Sequence, residues 1–298
     1  MNKEIFIWAC DYSTKTGEGN LARLFVNLEL KKYKKKTIKE PKNFTNKYNH
    51  KILSYKYIAP IVGICFCWKY YLKNKQICYI NYLPLWNFII FLLLPPKTVI
   101  GPITGGSFYI INDFQSLFRK YIFPVFYRFS IFFILKRNYT SIFSTDLLKK
   151  KLPKKLIDKS SFNFVFNLFK PKKISKKIKN NFVIYYKQHK NKKKFFPYNF
   201  IKKLLKFNYK IYIVGDYLDI KNVKNFGFVK KDKLHKLMNK AQYSILSGEN
   251  IFSLFTMDCI NNNVKILVNK KYNYKIVHFK KNFKSINMES KINTLPKF

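Results

Sequence analysis

The chain has 298 residues, of which 59 are Lys or Arg and 14 are Asp or Glu, so its formal net charge is +45. A charge of this size usually indicates a polyanionic partner, but all except four of the cations are Lys, and nucleic-acid readers depend on Arg for bidentate contacts. Composition therefore argues against a dedicated nucleic-acid reader and leaves attraction to an anionic membrane surface open.

The length allows two domains of about 150 residues each, and an apolar content of 48% is typical of a globular protein. Five cysteines, an odd number without metal-type spacing, favour buried thiols in a reducing compartment. The opening segment EIFIWACDY is typical of a first strand and lacks the features of a signal peptide. We therefore expect a cytoplasmic protein. If it contacts a membrane, we expect it at the inner face.

The first half of the chain alternates predicted strands and helices. EIFIWACDY predicts a strand, TKTGEG a glycine loop and NLARLFVNLELKKY a helix, and a basic polar stretch follows to about residue 50. Helices near 58–72, 84–94 and 121–137 then alternate with strands at 77–82, KTVIGPI and YTSIFST. Strands separated by helices predict a parallel sheet with helices on both faces.

Residues 76–96 form an uncharged segment that is long enough to cross a bilayer. Asn81, Pro84 and Asn87 interrupt it, which favours a buried strand and helix over a transmembrane span. The apolar helices near 58–72 and 121–137 either belong to the core or place an apolar face in a membrane interface, and the sequence leaves both readings open.

A second unit begins near residue 160, after the charged stretch LKKKLPKKLIDKS. Strands NFVIYY, YKIYIVG, YSILS and KILVN alternate there with helices FFPYNFIKKLLKF, KDKLHKLMNKAQ and SLFTMDCINN. We therefore predict an α/β protein of two Rossmann-like domains, residues 1–158 and 159–298, whose parallel sheets face each other across a cleft. The segment after residue 270 has no clear pattern, and a helix that returns to the first domain is one interpretation.

Glycine-rich loops follow two predicted strands of the first domain. KTGEGN places Gly17 and Gly19 between the first strand and its helix, where backbone N–H groups can approach an anion or a sugar. GPITGGS places Gly101, Gly105 and Gly106 in a comparable position after a later strand. A tight turn explains either loop equally well, because the full dinucleotide fingerprint is missing.

Two lysines and two acidic residues stand out in the second domain. Lys187 and Lys192, in YYKQHKNKK, follow its first strand and are spaced to converge on a diphosphate, although solvated lysines are common in this chain. Glu249 and Asp258, in SGENIFSLFTMDCINNNVKILV, are two of only 14 acids. Carboxylates at such positions accept hydrogen bonds from sugar or ribose hydroxyls, and helix capping is the alternative.

IYIVGD followed by NVKNFGFVKKDKLHKLMNKAQYSILSGENIFSLFTMDCINNNVKILV resembles the C-terminal half of the retaining GT-B glycosyltransferases of group 1, or family 4. TGEGNLARLF and GPITGG are similar to the acceptor-side loops of that family, and the resemblance extends to about residue 270. It implies a metal-independent, retaining enzyme that moves a sugar from a nucleoside-diphosphate sugar to a hydroxyl of a lipid-linked or cell-surface glycan. No cofactor besides the donor is implied, and no specific nucleic acid is expected as a partner.

The resemblance also implies roles for the two acids. Asp258 matches the acid that binds the donor ribose, with Asp in place of the more usual Glu. Glu249 matches the acid near the transferred sugar, but it lies nine positions before Asp258 where the family has eight, and strict spacing selects Asn250. Glu249 is the residue we expect in this role.

For the diphosphate, the resemblance implies a grip by Lys187 and Lys192, with Lys187 and Glu249 as the catalytic pair. Backbone amides near Ser253 and Leu254 would face the phosphates, and the glycine loops of the first domain would face the acceptor.

Other positions depart from the family pattern. Asn263 and Lys265 stand where Gly and Pro are common, and the first domain has no His at the usual cleft position. These departures keep two alternatives open, a catalytically inactive binding protein of the same fold and a basic membrane or nucleic-acid adhesion protein.

Overall fold

The computed structural model describes residues 4–14, 16–41, 54–105, 114–171, 177–188, 193, 195–248, 250–272 and 276–290. The chain forms two units, which divide between Val165 and Phe166. Each unit is built on one parallel sheet with helices between its strands. The predicted α/β fold class with two Rossmann-like units is therefore confirmed.

Within its described residues, the first unit has six parallel strands in the order β2-β1-β3-β4-β5-β6. The strands are β1 (Glu4–Ala9), β2 (Lys35–Lys39), β3 (Gln76–Pro84), β4 (Val99–Thr104), β5 (Thr140–Phe143) and β6 (Ser160–Ser161). The helices are α1 (Gly17–Glu29), α2 (Ser54–Tyr71), α3 (Phe88–Leu93), α4 (Phe114–Tyr121), α5 (Phe123–Lys136) and α6 (Lys154–Ile157).

Strand β1 shows how this sheet is covered on both faces. Phe6 and Trp8 pack in one core with side chains of α2, α3 and α5, which therefore form a helix layer on that face. Ile5 and Ile7 alternate with them and point to the other face, and both are completely buried. Burial on both faces explains why β1 reads as a continuous apolar run.

Within its described residues, the second unit has six parallel strands in the order β12-β11-β10-β7-β8-β9. The strands are β7 (Ile178–Tyr186), β8 (Lys210–Gly215), β9 (Lys224–Asn225), β10 (Ala241–Ile245), β11 (Lys265–Asn269) and β12 (Phe283–Ile286). The helices are α7 (Tyr198–Lys206), α8 (Lys231–Lys240) and α9 (Leu254–Asn261).

Helix α7 is amphipathic, and its apolar side forms the core of this unit. Phe200, Ile201 and Leu204 are buried against Phe182 and Ile184 of β7. Lysines occupy the exposed side of the helix. This is the usual arrangement of a surface helix that covers a sheet.

Asparagines occupy the turns that follow several helices. Asn74, Asn138, Asn208 and Asn263 come after α2, α5, α7 and α9 with φ angles of 56°, 53°, 60° and 51°. Gly is the usual residue in this left-handed conformation, and Asn is among the few others that adopt it routinely. Asn263 therefore adopts a turn conformation in which Gly is the usual residue.

Most predicted elements are found, but strands β2, β6 and β12 were not predicted. Residues 76–96 divide into β3 and α3 as expected, and no described helix is long and apolar enough to cross a membrane. Strand β2 lies in the stretch that the sequence indicated to be basic and polar. Its sequence KKTIK has no apolar pattern, because the strand is only half buried beside β1. One interpretation of the sequence placed a helix after residue 270. Residues 276–290 instead contain strand β12.

Candidate functional site

The second sheet has a topological switch point beside its first strand. Strand β7 lies between β8 and β10, so the chain builds the sheet first to one side of β7 and then to the other. The loops that follow β7 and β10 therefore diverge at the carboxyl edge of the sheet. In open parallel sheets, ligands bind in the crevice at this point.

Hydrogen bonds hold the strand ends together at this edge. The Ser247 hydroxyl, after β10, donates to the Tyr185 carbonyl of β7 at 2.6 Å. The Asp216 carboxylate, after β8, accepts from the Gln188 amide at 2.5 Å, and the Asp216 amide donates to the Tyr186 carbonyl at 2.9 Å. The backbone before and after Lys187 is therefore held by the loops that follow β8 and β10.

Helix α9 starts from the loop after β10, and Ser253 caps it. The Ser253 hydroxyl accepts from the Thr256 amide at 3.1 Å and lies 2.8 Å from the Thr256 hydroxyl. Asp258 is the fifth residue of this helix and lies beyond its first turn, so the capping alternative for Asp258 is wrong. The helix N-terminus carries the positive end of the helix dipole and favours anions.

The structure places four of the predicted donor residues around this edge. Lys187 is exposed directly after β7, Ser253 and Leu254 begin α9, and Asp258 is half-buried on the same helix. Because β7 and β10 are neighbours, the loops that carry these residues leave the same edge of the sheet. Glu249 and Lys192 lie outside the described residues.

Lys177, which precedes β7, holds the far ends of two helices. Its ammonium group donates to the Met238 carbonyl of α8 at 2.8 Å and to the Asn262 carbonyl after α9 at 2.6 Å. Burial lowers the pKa of Lys177 to about 8. The contact secures α9 at its C-terminal end, opposite the edge where Ser253 lies, and sequence reasoning did not identify it.

The first sheet has a switch point of its own at β1, which lies between β2 and β3. A recess opens beyond the carboxyl end of β1, beside the inner part of β3 and β4. It is lined by Asp11, Glu18, Leu21, Ala22, Ile80, Asn81 and Pro102. Carboxylate and amide oxygens in such a recess can accept hydrogen bonds from hydroxyl groups.

The loop between β1 and α1 is held in one conformation by its own side chains. The Asp11 carboxylate accepts from the Ser13 amide at 2.8 Å and from the Thr16 hydroxyl at 2.5 Å. The Arg23 side chain donates to the Tyr12 carbonyl at 2.9 Å, and its guanidinium lies 4.5 Å from the centre of the Tyr12 ring. The wall of the recess is therefore preorganised.

Gly17 and Gly19 begin the helix beside this recess. Gly17 is the first residue of α1, and the Gly19 amide donates to the Thr16 hydroxyl at 3.0 Å in the helix cap. A Cβ atom at Gly19 would collide with the backbone of Ser13 and would lie 2.8 Å from the Asp11 carboxylate. Glycine at position 19 thus lets the helix start pack closely on the preceding loop.

Gly101 lies within β4, next to Pro102 of the recess. Its φ is +154°, and a Cβ atom there would lie 2.7 Å from the Ile142 carbonyl and 2.9 Å from the Phe25 ring. Gly105, just after β4, has a φ of +142°. Gly106 lies outside the described residues. The backbone conformation and the close packing both require glycine at position 101.

Sequence reasoning missed three polar residues of the recess, Asp11, Glu18 and Asn81. A signal for the two acids was present in the sequence, because the chain has only 14 acids, and Asp11 precedes the first glycine loop while Glu18 lies within it. The same scarcity drew attention to Glu249 and Asp258. Within the described part of the chain, no group of three or more His, Cys, Asp or Glu side chains is placed to hold a metal ion.

Several solved glycosyltransferase structures are similar to this chain in fold. WaaG, a glycosyltransferase involved in lipopolysaccharide biosynthesis, shares 11% identity over 95% of this chain and 86% of its own, with a TM-score of 0.49. CalG4, the calicheamicin glycosyltransferase, shares 10% identity over 96% of this chain and 86% of its own, with a TM-score of 0.41.

A third structure is UGT2 from Phytolacca americana, solved in complex with UDP-2-fluoro-glucose and pterostilbene. It shares 8% identity over 89% of this chain and 80% of its own, with a TM-score of 0.44. No protein-family model and no curated protein matches the chain in sequence.

Proposed function

We propose that the protein is a glycosyltransferase that moves a sugar from a nucleoside-diphosphate sugar to a hydroxyl of a lipid-linked or cell-surface glycan. The observation that carries this proposal is the switch point of the second sheet, where Lys187 and the start of α9 follow the neighbouring strands β7 and β10. A basic side chain and a helix N-terminus at one sheet edge suit a diphosphate.

The donor is held by side chains and by backbone amides of the second unit. Lys187 and Lys192 bind the diphosphate. The Thr256 amide donates to the Ser253 hydroxyl. The Leu254 amide, in the first turn of α9, donates to a phosphate oxygen of the donor. Asp258 binds the ribose hydroxyls, and Glu249 lies beside the transferred sugar.

In the transfer step, the bond between the anomeric carbon and the diphosphate oxygen breaks, and its electron pair leaves with the diphosphate. The acceptor oxygen bonds to the same carbon, and its proton passes to the departing phosphate oxygen. Lys187, Lys192 and the helix amides stabilise the negative charge that develops. We propose that configuration is retained and that no divalent metal is needed.

The acceptor hydroxyl belongs to the recess of the first unit. Glu18 is exposed at its rim, and a carboxylate there accepts hydrogen bonds from sugar hydroxyls. We expect Glu18→Gln to raise KM for the acceptor and to leave donor binding unchanged. Glu29→Gln, at the other end of the same helix, is the matched control.

Thermal stabilisation of the protein by UDP-, GDP-, ADP- and CMP-linked sugars tests the donor site, because a ligand that binds only the folded state raises Tm. We expect one nucleotide class to raise Tm in the wild type and in the controls Lys202→Ala and Asp219→Ala, but not in Lys187→Ala or Asp258→Ala. Equal shifts in all variants, or none with any donor, would overturn the donor assignment.

Turnover then separates an enzyme from an inactive protein of the same fold. With the donor that stabilises the protein, we expect release of the nucleoside diphosphate in the presence of acceptor glycan and no inhibition by EDTA. An NMR spectrum of the product should show the anomeric configuration of the donor. Binding without release favours the inactive glycan-binding alternative.

A further inference from the structure

Helix α5 exposes apolar side chains on the side that faces away from the sheet. Tyr127, Ser130 and Ile134 are buried at the sheet. On the opposite side, exposed side chains recur at every third or fourth position, from the residue before the helix onwards. They are Ile122, Val125, Phe129 and Phe132. A surface helix normally carries polar residues there, so this side is unusually apolar for a surface helix.

The neighbouring helices extend this surface. The Phe88 ring of α3 lies 5.4 Å from the ring of Phe126 and 5.7 Å from that of Phe129. The Trp68 indole of α2 donates to the Leu93 carbonyl of α3 at 2.7 Å. Helices α2, α3 and α5 are thus side by side, and α4 joins them through a contact between Phe118 and Phe123 at 6.1 Å.

We call the exposed apolar residues of these four helices the helix-layer face. On α5 and the residue before it they are those given above. Those on α2, α3 and α4, with the two that flank α2 and α3, are Ile58, Ile61, Leu72, Trp86, Ile89, Leu93, Leu117, Phe118 and Tyr121. Contiguous exposed apolar surface of this kind is rare on a free-standing soluble protein.

The segment that contains the helix-layer face is strongly basic. Residues 54–137 contain ten Lys or Arg and one acid, Asp113. Three of the four arginines of the chain, Arg119, Arg128 and Arg137, lie in this range. The Lys136 ammonium lies 5.4 Å from the centre of the Phe132 ring, so cations and aromatic rings are interspersed.

We propose that the helix-layer face binds an anionic phospholipid bilayer, with α2, α3 and α5 lying in the plane of the interface. The apolar side chains enter the boundary between headgroups and acyl chains, and the Lys and Arg side chains contact lipid phosphates. A second copy of the chain is disfavoured as the partner, because a symmetric contact brings these cations against each other. The inference goes beyond the proposed function and does not depend on catalysis.

Sedimentation of the full chain with vesicles tests the proposal. We expect binding to vesicles of phosphatidylcholine and phosphatidylglycerol in equal parts. Phe129→Ser combined with Phe132→Ser removes two rings that are 49% and 53% exposed and should weaken binding at least about tenfold. The matched control is Phe207→Ser combined with Phe228→Ser in the second unit, where the rings are 50% and 75% exposed. It should bind like the wild type.

Charge and depth give two further readouts. Arg128→Gln with Lys136→Gln should weaken binding to anionic vesicles, whereas Lys202→Gln with Lys206→Gln should not. Tryptophan fluorescence should be quenched by brominated lipids, and Trp86→Phe should reduce the quenching more than Trp68→Phe, because Trp86 is exposed, Trp68 is partly buried and Trp8 is almost fully buried.

Other outcomes would overturn the proposal. Equal loss of vesicle binding in the face and control variants would assign binding to the net charge alone. A wild-type dimer that becomes a monomer with Phe129→Ser and Phe132→Ser, and that does not bind vesicles, would assign the face to a second copy of the chain.

Discussion

The two units share one construction but differ in what their helices show to the outside. Both place their first strand in the sheet interior with a switch point beside it. In the second unit, the exposed side of α8 carries Lys233, Lys236 and Lys240. In the first unit, α5 presents Val125, Phe129 and Phe132 at the equivalent exposed side. The same fold thus supports a water-facing surface in one unit and an apolar surface in the other.

This difference teaches that apolar periodicity alone does not separate core from interface. In the sequence, the helices near 58–72 and 121–137 fitted either a core or a membrane interface. For α5 the reason is that both of its sides are apolar. Only the fold shows which apolar residues the sheet covers and which remain outside.

The largest expected effect compares a buried ring with an exposed one. Phe200→Ala on α7 removes a fully buried side chain and should lower the free energy of unfolding by about 3–5 kcal/mol. Phe129→Ala on α5 should lower it by no more than about 1.5 kcal/mol, because the ring is half exposed and loses mainly its contact with Phe88. Denaturant unfolding measures both. A comparable loss in Phe129→Ala would mean that the helix-layer face belongs to a core.

A second comparison concerns the packing beneath that face. A Cβ atom at Gly63 of α2 would collide with the Trp8 indole, which is almost fully buried. Gly63→Ala should therefore destabilise the protein by about 1–3 kcal/mol. Gly248→Ala in the second unit meets no atom within 4 Å and should be nearly neutral. Equal Tm values for the two variants would contradict close packing between α2 and the sheet.

A third prediction tests whether the two units turn from helix to strand in the same way. Asn74 after α2 and Asn208 after α7 have φ angles of 56° and 60°. Replacing either residue with Ala should cost about 1 kcal/mol, because an ordinary side chain is strained in this conformation. Replacement with Gly should restore the stability. Urea unfolding of the four variants would show different costs in the two units if the turns were not equivalent.

The smallest effect is a pH dependence confined to the first unit. Lys35 and Lys75 lie 2.6 and 2.8 Å from the Glu4 carboxylate and lower its pKa from 4.5 to about 2. The ion pairs therefore stabilise the protein above pH 4.5, and this contribution is lost as the pH falls from 4.5 to 2. Glu4→Gln should have a shallower fall in Tm over that range, and an unchanged slope would contradict the assignment.

The sequence was sufficient for most of the regular elements. Strand β1 is an apolar run and α1 has helical periodicity, so both could be predicted locally. Strand β2 could not, because this half-exposed edge strand has the sequence KKTIK, which contains one apolar residue, Ile38, and has no apolar pattern. Its place depends on pairing with β1, which is a tertiary contact.

The candidate sites were predictable to different degrees. Lys187 and Asp258 follow from their order along the chain, whereas Asp11 and Asn81 meet in the recess only through the packing of β1, β3 and β4. The clamp made by Lys177 likewise joins residues that are far apart in sequence. Contacts of this kind are not visible to local patterns.

The central claim is that the second unit binds the donor and the helix-layer face of the first unit binds the membrane. Hydrogen exchange of the full chain tests this claim most directly, measured with and without a donor sugar nucleotide and with and without anionic vesicles. The donor should protect amides at 187–188 and 250–256, and vesicles should protect amides at 117–136. Donor protection elsewhere, or vesicle protection spread equally over both units, would contradict the account.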